Sequence, residues 1–87
     1  MKLLIRKPTE KEKEIASKWP IWEKEVSQFS WEYGEPEACL ILEGNAEVTN
    51  ETGEKFSFGS GDYVLFPKGM KCTWKVNKKI MKHYNFG

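Results

Sequence analysis

The chain has 87 residues, of which 39% are hydrophobic, 14% aromatic and 31% charged, and its formal net charge is +1. This length suits a single small domain over residues 1–87, and the composition excludes a disordered chain. No apolar run is long enough for a transmembrane helix and no signal-peptide pattern follows Met1, so we expect a cytoplasmic protein with no membrane partner.

The first predicted elements are a short strand and a short helix. Leu3-Leu4-Ile5 is an apolar, strand-like run, and Thr9 and Glu12 follow it at capping-box spacing, which predicts one helix that reaches Ala16. The strand has apolar side chains and an edge that no local segment pairs. A second copy of the chain would cover both, so we expect a homodimer.

From Trp19 onward the pattern changes to short strands separated by turns. Alternating apolar and polar residues predict strands at 19–22, 29–33, 38–42, 46–49, 55–58, 63–66, 72–76 and 80–84. Glycine and proline mark the turns between them, at Gly44-Asn45 and Pro67-Lys68-Gly69 among others. Eight or nine strands with no helix between them predict an all-β antiparallel sandwich or barrel.

Acidic and basic residues are unevenly distributed along these strands. Residues 32–62 hold eight acids and a single lysine, Lys55, whereas residues 63–87 hold six lysines and no acid. A lysine-rich face can bind nucleic acid, but acidic and basic strands that lie side by side produce the same distribution. Because the net charge is nearly zero, we favour cross-strand pairing and expect no nucleic-acid partner.

Two stretches resemble the signatures of the cupin superfamily. GDYVLFPKGMKC, from Gly61 to Cys72, resembles the second signature, GxxxxxPxGxxH, with cysteine in the histidine place. Glu37 and Gly44 stand seven apart as in the first signature, HxHxxxExxxxxxG, whose two histidine places fall on Trp31 and Tyr33. The chain is most similar to the small single-domain (RmlC-like) cupins of the ethanolamine-utilisation and ureidoglycine-aminohydrolase-like group.

The resemblance implies a cupin double-stranded β-helix, or jelly-roll barrel, with one short N-terminal helix. In cupins with intact signatures, three histidines and a glutamate bind a transition metal inside the barrel. This chain has one histidine, His83, so neither a three-His nor a two-His-one-carboxylate site can form within one subunit. We therefore expect no metal site of this kind and no cofactor.

The four ligand places become an aromatic-walled pocket. Strand alternation puts Cys39 on the face of Glu37, and Trp74 on that of Cys72. A carboxylate in such a pocket needs a partner, and the candidates are Tyr33 and Lys82, which shares its period-two phase with Tyr84. The candidate catalytic residues are Glu37, Cys72 and Tyr33, and the candidate ligand-binding residues are Trp31, Trp74, Lys82 and Cys39.

The first functional hypothesis is a pocket that binds a small polar or sugar-like molecule, with any catalysis being acid-base chemistry by Glu37 with Tyr33 or Cys72. Each residue also has a structural interpretation: the tryptophans can fill the core, and the cysteines can be inert. A second hypothesis is a zinc-type enzyme with Glu37, Cys72 and Cys39 as ligands. A third is a nucleic-acid-binding β-barrel that uses exposed aromatic residues beside the lysines.

Overall fold

The computed structural model describes every residue from Met1 to Gly87 and contains one short helix and seven β-strands. In chain order these are β1 (Leu4–Arg6), α1 (Glu10–Ala16), β2 (Ile21–Lys24), β3 (Ser27–Glu32), β4 (Glu37–Asn50), β5 (Lys55–Gly59), β6 (Tyr63–Phe66) and β7 (Lys71–Phe86). No helix of the protein is both long enough and apolar enough to cross a membrane.

The helix α1 begins where the capping-box residues predict. Thr9 Oγ1 accepts a hydrogen bond of 3.1 Å from the main-chain N–H of Glu12, and the Glu12 carboxylate accepts one of 2.9 Å from the main-chain N–H of Thr9. Arg6 also donates to both carboxylate oxygens of Glu12, and this hydrogen bonding is the main reason why the Glu12 pKa falls to about 2. Arg6 thereby joins the end of β1 to the start of α1.

Four of the predicted strands are merged into two long ones. Residues 38–42 and 46–49 belong to β4, and residues 72–76 and 80–84 belong to β7. The predicted turn at Gly44-Asn45 is wrong, because β4 stays paired with β7 there and only its register shifts, between Ile41 and Ala46. The irregularity is a bulge in which Gly44 has a φ of 81°, a conformation open to glycine.

The two halves of each long strand belong to two different layers. The first half of β4 pairs with β6 and with the second half of β7, and β1 and β2 extend this layer at its two edges. The second half of β4 pairs with β5 and with the first half of β7, to which β3 is added. All pairings are antiparallel. The prediction of an all-β jelly roll with one short helix is confirmed.

The core between the two layers is rich in aromatic rings. Phe58 on β5 contacts Phe66 on β6 with ring centroids 6.2 Å apart, and it contacts Trp74 on β7 at 5.4 Å. All three rings are buried. The Phe58–Phe66 contact, and that of Phe66 with Trp74 at 5.7 Å, join strands of opposite layers, so the aromatic residues hold the two halves of the jelly roll together.

Acidic and basic side chains meet across neighbouring strands. Lys75 on β7 lies opposite Glu47 on β4, and Lys71 on β7 lies opposite Glu32 on β3. These lysines are exposed, whereas Trp74 between them on β7 is buried. The uneven charge distribution of the sequence therefore has an explanation within the sheet, as the cross-strand interpretation predicts.

The bulge at Gly44 provides a test of the fold. We expect Gly44→Ala to lower the free energy of unfolding by more than about 3 kcal/mol, because the added Cβ would overlap the main-chain carbonyl group of Lys79. Gly53→Ala is the matched control: its φ is 85°, but its Cβ would meet nothing within 4 Å, so we expect a loss of only about 1 kcal/mol. Urea unfolding measures both losses, and equal losses would contradict the close approach of Gly44 to Lys79.

Candidate functional site

A cavity of about 150 Å³ lies beside β2, β3 and the second half of β7. Seven of its nine lining residues are aromatic; the full set is Trp22, Phe29, Trp31, Tyr33, Glu37, Trp74, Lys82, Tyr84 and Phe86. Side chains two residues apart on a strand point to the same face, which explains why Phe29, Trp31 and Tyr33 line the cavity together. The same holds for Lys82, Tyr84 and Phe86 on β7. The cavity is thus an aromatic chamber with only two charged residues in its wall.

These two charged residues, Glu37 and Lys82, form a buried ion pair. Lys82 Nζ lies 3.1 Å from Glu37 Oε2, and the two residues are only 4% and 5% exposed, respectively. Glu37 begins β4, and Lys82 lies opposite Ile41 of the same strand, so the long lysine side chain runs back along the sheet to reach the carboxylate. Lys82 therefore points inward beside Glu37, as its period-two phase predicts.

Aromatic rings surround the Nζ atom of Lys82. The rings of Trp22 and Trp74 both have their centroids 4.9 Å from Nζ, and that of Phe66 lies 5.8 Å away. Nζ also contacts Cys39 Sγ at 3.3 Å. Removal of an ammonium group from water is unfavourable, and here a carboxylate and aromatic faces offset that penalty.

Three polar groups at this site keep hydrogen-bonding capacity that the protein does not use. The ammonium of Lys82 has three N–H bonds, and Glu37 and Cys39 accept only two of them. The Glu37 carboxylate accepts from Lys82 through Oε2 and is also hydrogen-bonded to the Cys39 thiol, but its two oxygens can accept about four hydrogen bonds, and the residue lines the cavity. The Tyr33 hydroxyl accepts from Trp74 Nε1 at 3.2 Å, which leaves its own proton free.

The Tyr33 hydroxyl is a permanent donor. Burial, followed by the nearby charge of Glu37, raises its pKa far above the ordinary value for tyrosine, so it stays protonated near neutral pH. A molecule in the cavity therefore meets two kinds of donor, from Tyr33 and Lys82, and one acceptor, from Glu37. This combination can position a polar group and move a proton to or from it.

The two cysteines are placed differently from each other. Cys39 is fully buried beside Lys82, and burial raises its pKa to about 12. The expectation that Cys72 lines the same cavity as Glu37 is wrong. Its Sγ donates to the main-chain oxygen of Trp31 at 3.6 Å, and the residue borders a separate open groove. Burial is also the main cause that raises the Cys72 pKa, to about 11. Both thiols are therefore protonated near neutral pH, which does not favour a nucleophilic role.

Trp31 lies at the rim of the cavity rather than inside it. It is 48% exposed, whereas Trp74 is 2% exposed and packs in the core. The expectation that both tryptophans turn inward is therefore wrong for Trp31, because β3 pairs only with β7 and leaves this ring at the edge of its layer. Its ring still contacts Tyr33, with centroids 6.4 Å apart.

Four lining residues escaped the sequence interpretation: Trp22, Phe29, Tyr84 and Phe86. A signal for three of them exists in the sequence. Phe29 shares the period-two phase of Trp31 and Tyr33, and Tyr84 and Phe86 continue the phase of Lys82. Trp22 has no such signal, because β2 reaches the cavity only through its pairing with the second half of β7.

The residues at the four metal-ligand places do not fit a metal ion. The structure brings together no group of three or more His, Cys, Asp or Glu side chains that could hold one. Glu37 and Cys39 lie beside the Lys82 ammonium, which would repel a cation, and Cys72 borders the separate groove. The zinc hypothesis with Glu37, Cys72 and Cys39 as ligands is therefore wrong in its geometry.

Comparison with known families agrees with the fold. A sequence model of the EutQ-like cupin domain matches residues 11–84. The chain belongs to this family. The matched region of this cupin contains both partial signatures and both residues of the Glu37–Lys82 pair. A comparison with curated protein sequences finds no match.

Solved structures resemble this cupin to different degrees. A DUF861 family protein from Thermotoga maritima is 52% identical, with a TM-score of 0.94 over 99% of this chain and 100% of the other. The Clostridium difficile EutQ protein is 24% identical, with a TM-score of 0.70 over 76% of this chain and 52% of EutQ. A DUF861 family protein of unknown function from Pseudomonas syringae is 22% identical, with a TM-score of 0.70 over 77% and 29% of the two chains. The last two likenesses concern the fold alone.

The buried ion pair leads to a stability prediction. We expect Glu37→Gln to lower the free energy of unfolding by about 3 kcal/mol, because it leaves the buried ammonium of Lys82 without its counter-charge. The double variant Glu37→Gln/Lys82→Met removes both charges and should recover most of this loss. Urea unfolding at neutral pH measures the free energy of unfolding of the parent protein, the single variant and the double variant.

A matched control for this prediction is the exposed pair Lys79–Glu25, whose charged atoms lie 3.7 Å apart. We expect Glu25→Gln to change the free energy of unfolding by less than about 0.5 kcal/mol, because solvent screens exposed charges. A loss for Glu37→Gln as small as that for Glu25→Gln would show that the buried pair is not formed.

Proposed function

We propose that the aromatic cavity binds a small, flat, uncharged organic molecule that carries a hydrogen-bond acceptor beside a donor. The observation that carries this proposal is the buried Glu37–Lys82 pair, which keeps free donor and acceptor positions in the wall of the cavity. A well-packed apolar pair would stabilise the fold at least as well as a buried ion pair. A role in binding or proton transfer therefore accounts for these charges better than stability does.

The size and the lining of the cavity define the class of ligand. A volume of about 150 Å³ suits a molecule of the size of one six-membered ring. Aromatic walls favour a flat ring or the apolar face of a sugar. The charges of Glu37 and Lys82 cancel, which favours a neutral ligand over an ion. A carbonyl or hydroxyl oxygen beside an N–H or O–H group matches the free groups of Tyr33, Lys82 and Glu37.

Any reaction at this site would be acid-base chemistry that needs no cofactor. Glu37 Oε1 would exchange a proton with the ligand, while Tyr33 and Lys82 donate to the oxygen on which negative charge develops. Cys39 lies in contact with Lys82 and would help to hold the ammonium in place. Cys72 takes no part in this proposal, because it lies outside the cavity.

A small-molecule ligand is favoured over nucleic acid. Binding of single strands requires exposed rings beside lysines. Trp31 and Phe86 are exposed, but both line the cavity, and Phe66 and Trp74 are buried. Lys71 and Lys75 on β7 lie opposite acidic residues of the neighbouring strands. A cytoplasmic location stays a prediction from the sequence.

Ligand binding can be tested by a thermal-shift screen of neutral cyclic amides, phenols and monosaccharides. A molecule that binds only the folded state raises the melting temperature, by an amount that grows with its concentration above the dissociation constant. For a compound found in this way, we expect Trp31→Ala to weaken binding by about tenfold at unchanged stability, because its exposed ring forms the rim.

Glu37→Gln should abolish binding of the same compound, measured by titration calorimetry below the melting temperature of the variant. Ile21→Ala is the control, because Ile21 is an exposed apolar residue that does not line the cavity, and it should bind with unchanged affinity. Equal affinities for the parent protein and both Glu37→Gln and Trp31→Ala would place the binding site elsewhere and contradict the proposal.

We also propose that the protein is a homodimer. Leu4 on the edge strand β1 is 53% exposed, and β1 pairs on one side only, with β6. A second copy would cover this edge and its apolar side chain. Sedimentation velocity at micromolar concentration is expected to show the dimer mass, and Leu4→Lys is expected to shift it towards the monomer. A parent protein that sediments only as a monomer would contradict this proposal.

A further inference from the structure

We propose that Lys82 captures small aldehydes or ketones as a reversible imine, with Glu37 as the group that moves the proton. This inference rests on the proposed function, because it uses the same cavity and adds a covalent step to it. Its basis is the joint placement of a buried primary amine, a carboxylate 3.1 Å away and a small aromatic chamber next to both. Buried lysines in apolar pockets are the usual residues for such chemistry.

The position of Lys82 is unlike that of any other lysine in the chain. Lys82 is 4% exposed and lines the cavity, whereas the other twelve lysines are all exposed. An exposed lysine offers a carbonyl compound no apolar contact and no positioned acid or base. At Lys82, the rings of Trp22 and Trp74 flank the reacting nitrogen, and the Tyr33 hydroxyl has a free proton to donate to a carbonyl oxygen.

The reaction conserves charge at the site. Glu37 first takes one proton from the Lys82 ammonium, and the neutral amine then forms a C–N bond with the carbonyl carbon. A second proton moves from nitrogen to the former carbonyl oxygen and gives a carbinolamine. Glu37 returns its proton to that hydroxyl, the C–O bond breaks, water leaves, and a protonated imine remains. The overall change is ammonium plus carbonyl compound to iminium plus water, with no oxidant or reductant.

This conservation of charge is the main physical argument for the step. The iminium carries the same single positive charge as the ammonium, at the same nitrogen. It therefore keeps the ion pair with Glu37 and the favourable contacts with the aromatic faces, so the surroundings that stabilise the ammonium also stabilise the product. Transfer of a neutral carbonyl compound into the cavity requires no additional counter-charge.

The test is reductive trapping of the intact protein with benzaldehyde, whose ring matches the volume of the cavity. Sodium cyanoborohydride reduces an iminium to a stable benzylamine, and peptide mass spectrometry then locates the benzyl group. We expect Lys82 to be labelled at least about tenfold faster than any exposed lysine, because positioned acid-base groups accelerate such steps on the order of 10² or more. The N-terminal amine is scored separately, because its lower intrinsic pKa makes it reactive without a site.

Two variants provide matched controls. Lys82→Arg keeps a cation beside Glu37 but has no amine that can form an imine, so it should lose the fast label. Lys24→Arg changes an exposed lysine that lies 5.2 Å from the Phe29 ring, and it should leave the label on Lys82 unchanged. If Lys82→Arg fails to fold, the labelling rates of the individual lysines in the parent protein still show whether Lys82 reacts faster than the exposed lysines.

The outcomes separate this inference from the proposed function. A rise in melting temperature with benzaldehyde alone, together with no preference for Lys82 in trapping, would overturn the imine and leave the non-covalent pocket standing. Label spread evenly over the exposed lysines would overturn the imine with or without a thermal shift, and the screen of cyclic amides, phenols and monosaccharides decides the proposed function separately. Fast labelling of Lys82 that is lost in Lys82→Arg supports the inference.

Discussion

The antiparallel pairing of β4 with β7 is the constraint on which the rest of the structure depends. Each strand runs through both layers of the jelly roll, and the pairing extends from Glu37 opposite Phe86 to Asn50 opposite Cys72, with three register shifts between Ile41 and Ala46. Every other strand is attached to one of these two or, for β1, to β6. Because side chains alternate along a strand, the register in each half decides which residues of that half face the interior. It brings Lys82 and Glu37 to the same wall.

The buried ion pair is informative because the fold does not need it. Removal of two charges from water is unfavourable, and apolar residues of similar volume would pack the same space without that penalty. Here the pair is surrounded by aromatic rings, and its two charged groups have more hydrogen-bonding capacity than their contacts with each other and with Cys39 use. Both residues line the cavity, so we propose that the pair and the cavity form one site.

The sequence allowed the fold and the charged centre of the site to be predicted, because both depend on local spacing. Alternation and turn residues predicted most of the strands, the resemblance of Gly61–Cys72 and Glu37–Gly44 to the cupin signatures implied the jelly roll, and the period-two phase of Lys82 predicted that it points inward. The predictions failed where long-range pairing decides the outcome. Gly44-Asn45 resembles a turn but forms a bulge because β7 continues alongside, and Cys72 and Trp31 depend on where β3 ends relative to β7. Local sequence does not contain that information.

Lysine in place of a metal changes the chemistry available to a cupin barrel. In the family pattern, a glutamate and three histidines bind one cation, whereas here the glutamate is paired with a cation that is tethered to β7 by its own side chain. A metal ion acts as a Lewis acid and offers several coordination positions. An ammonium group offers directed N–H bonds, a transferable proton and, once deprotonated, a nucleophilic nitrogen. A buried carboxylate at Glu37 requires a positive partner, and in this chain Lys82 supplies it. The site that we propose would therefore use proton transfer and carbonyl chemistry on a molecule small enough for a cavity of about 150 Å³.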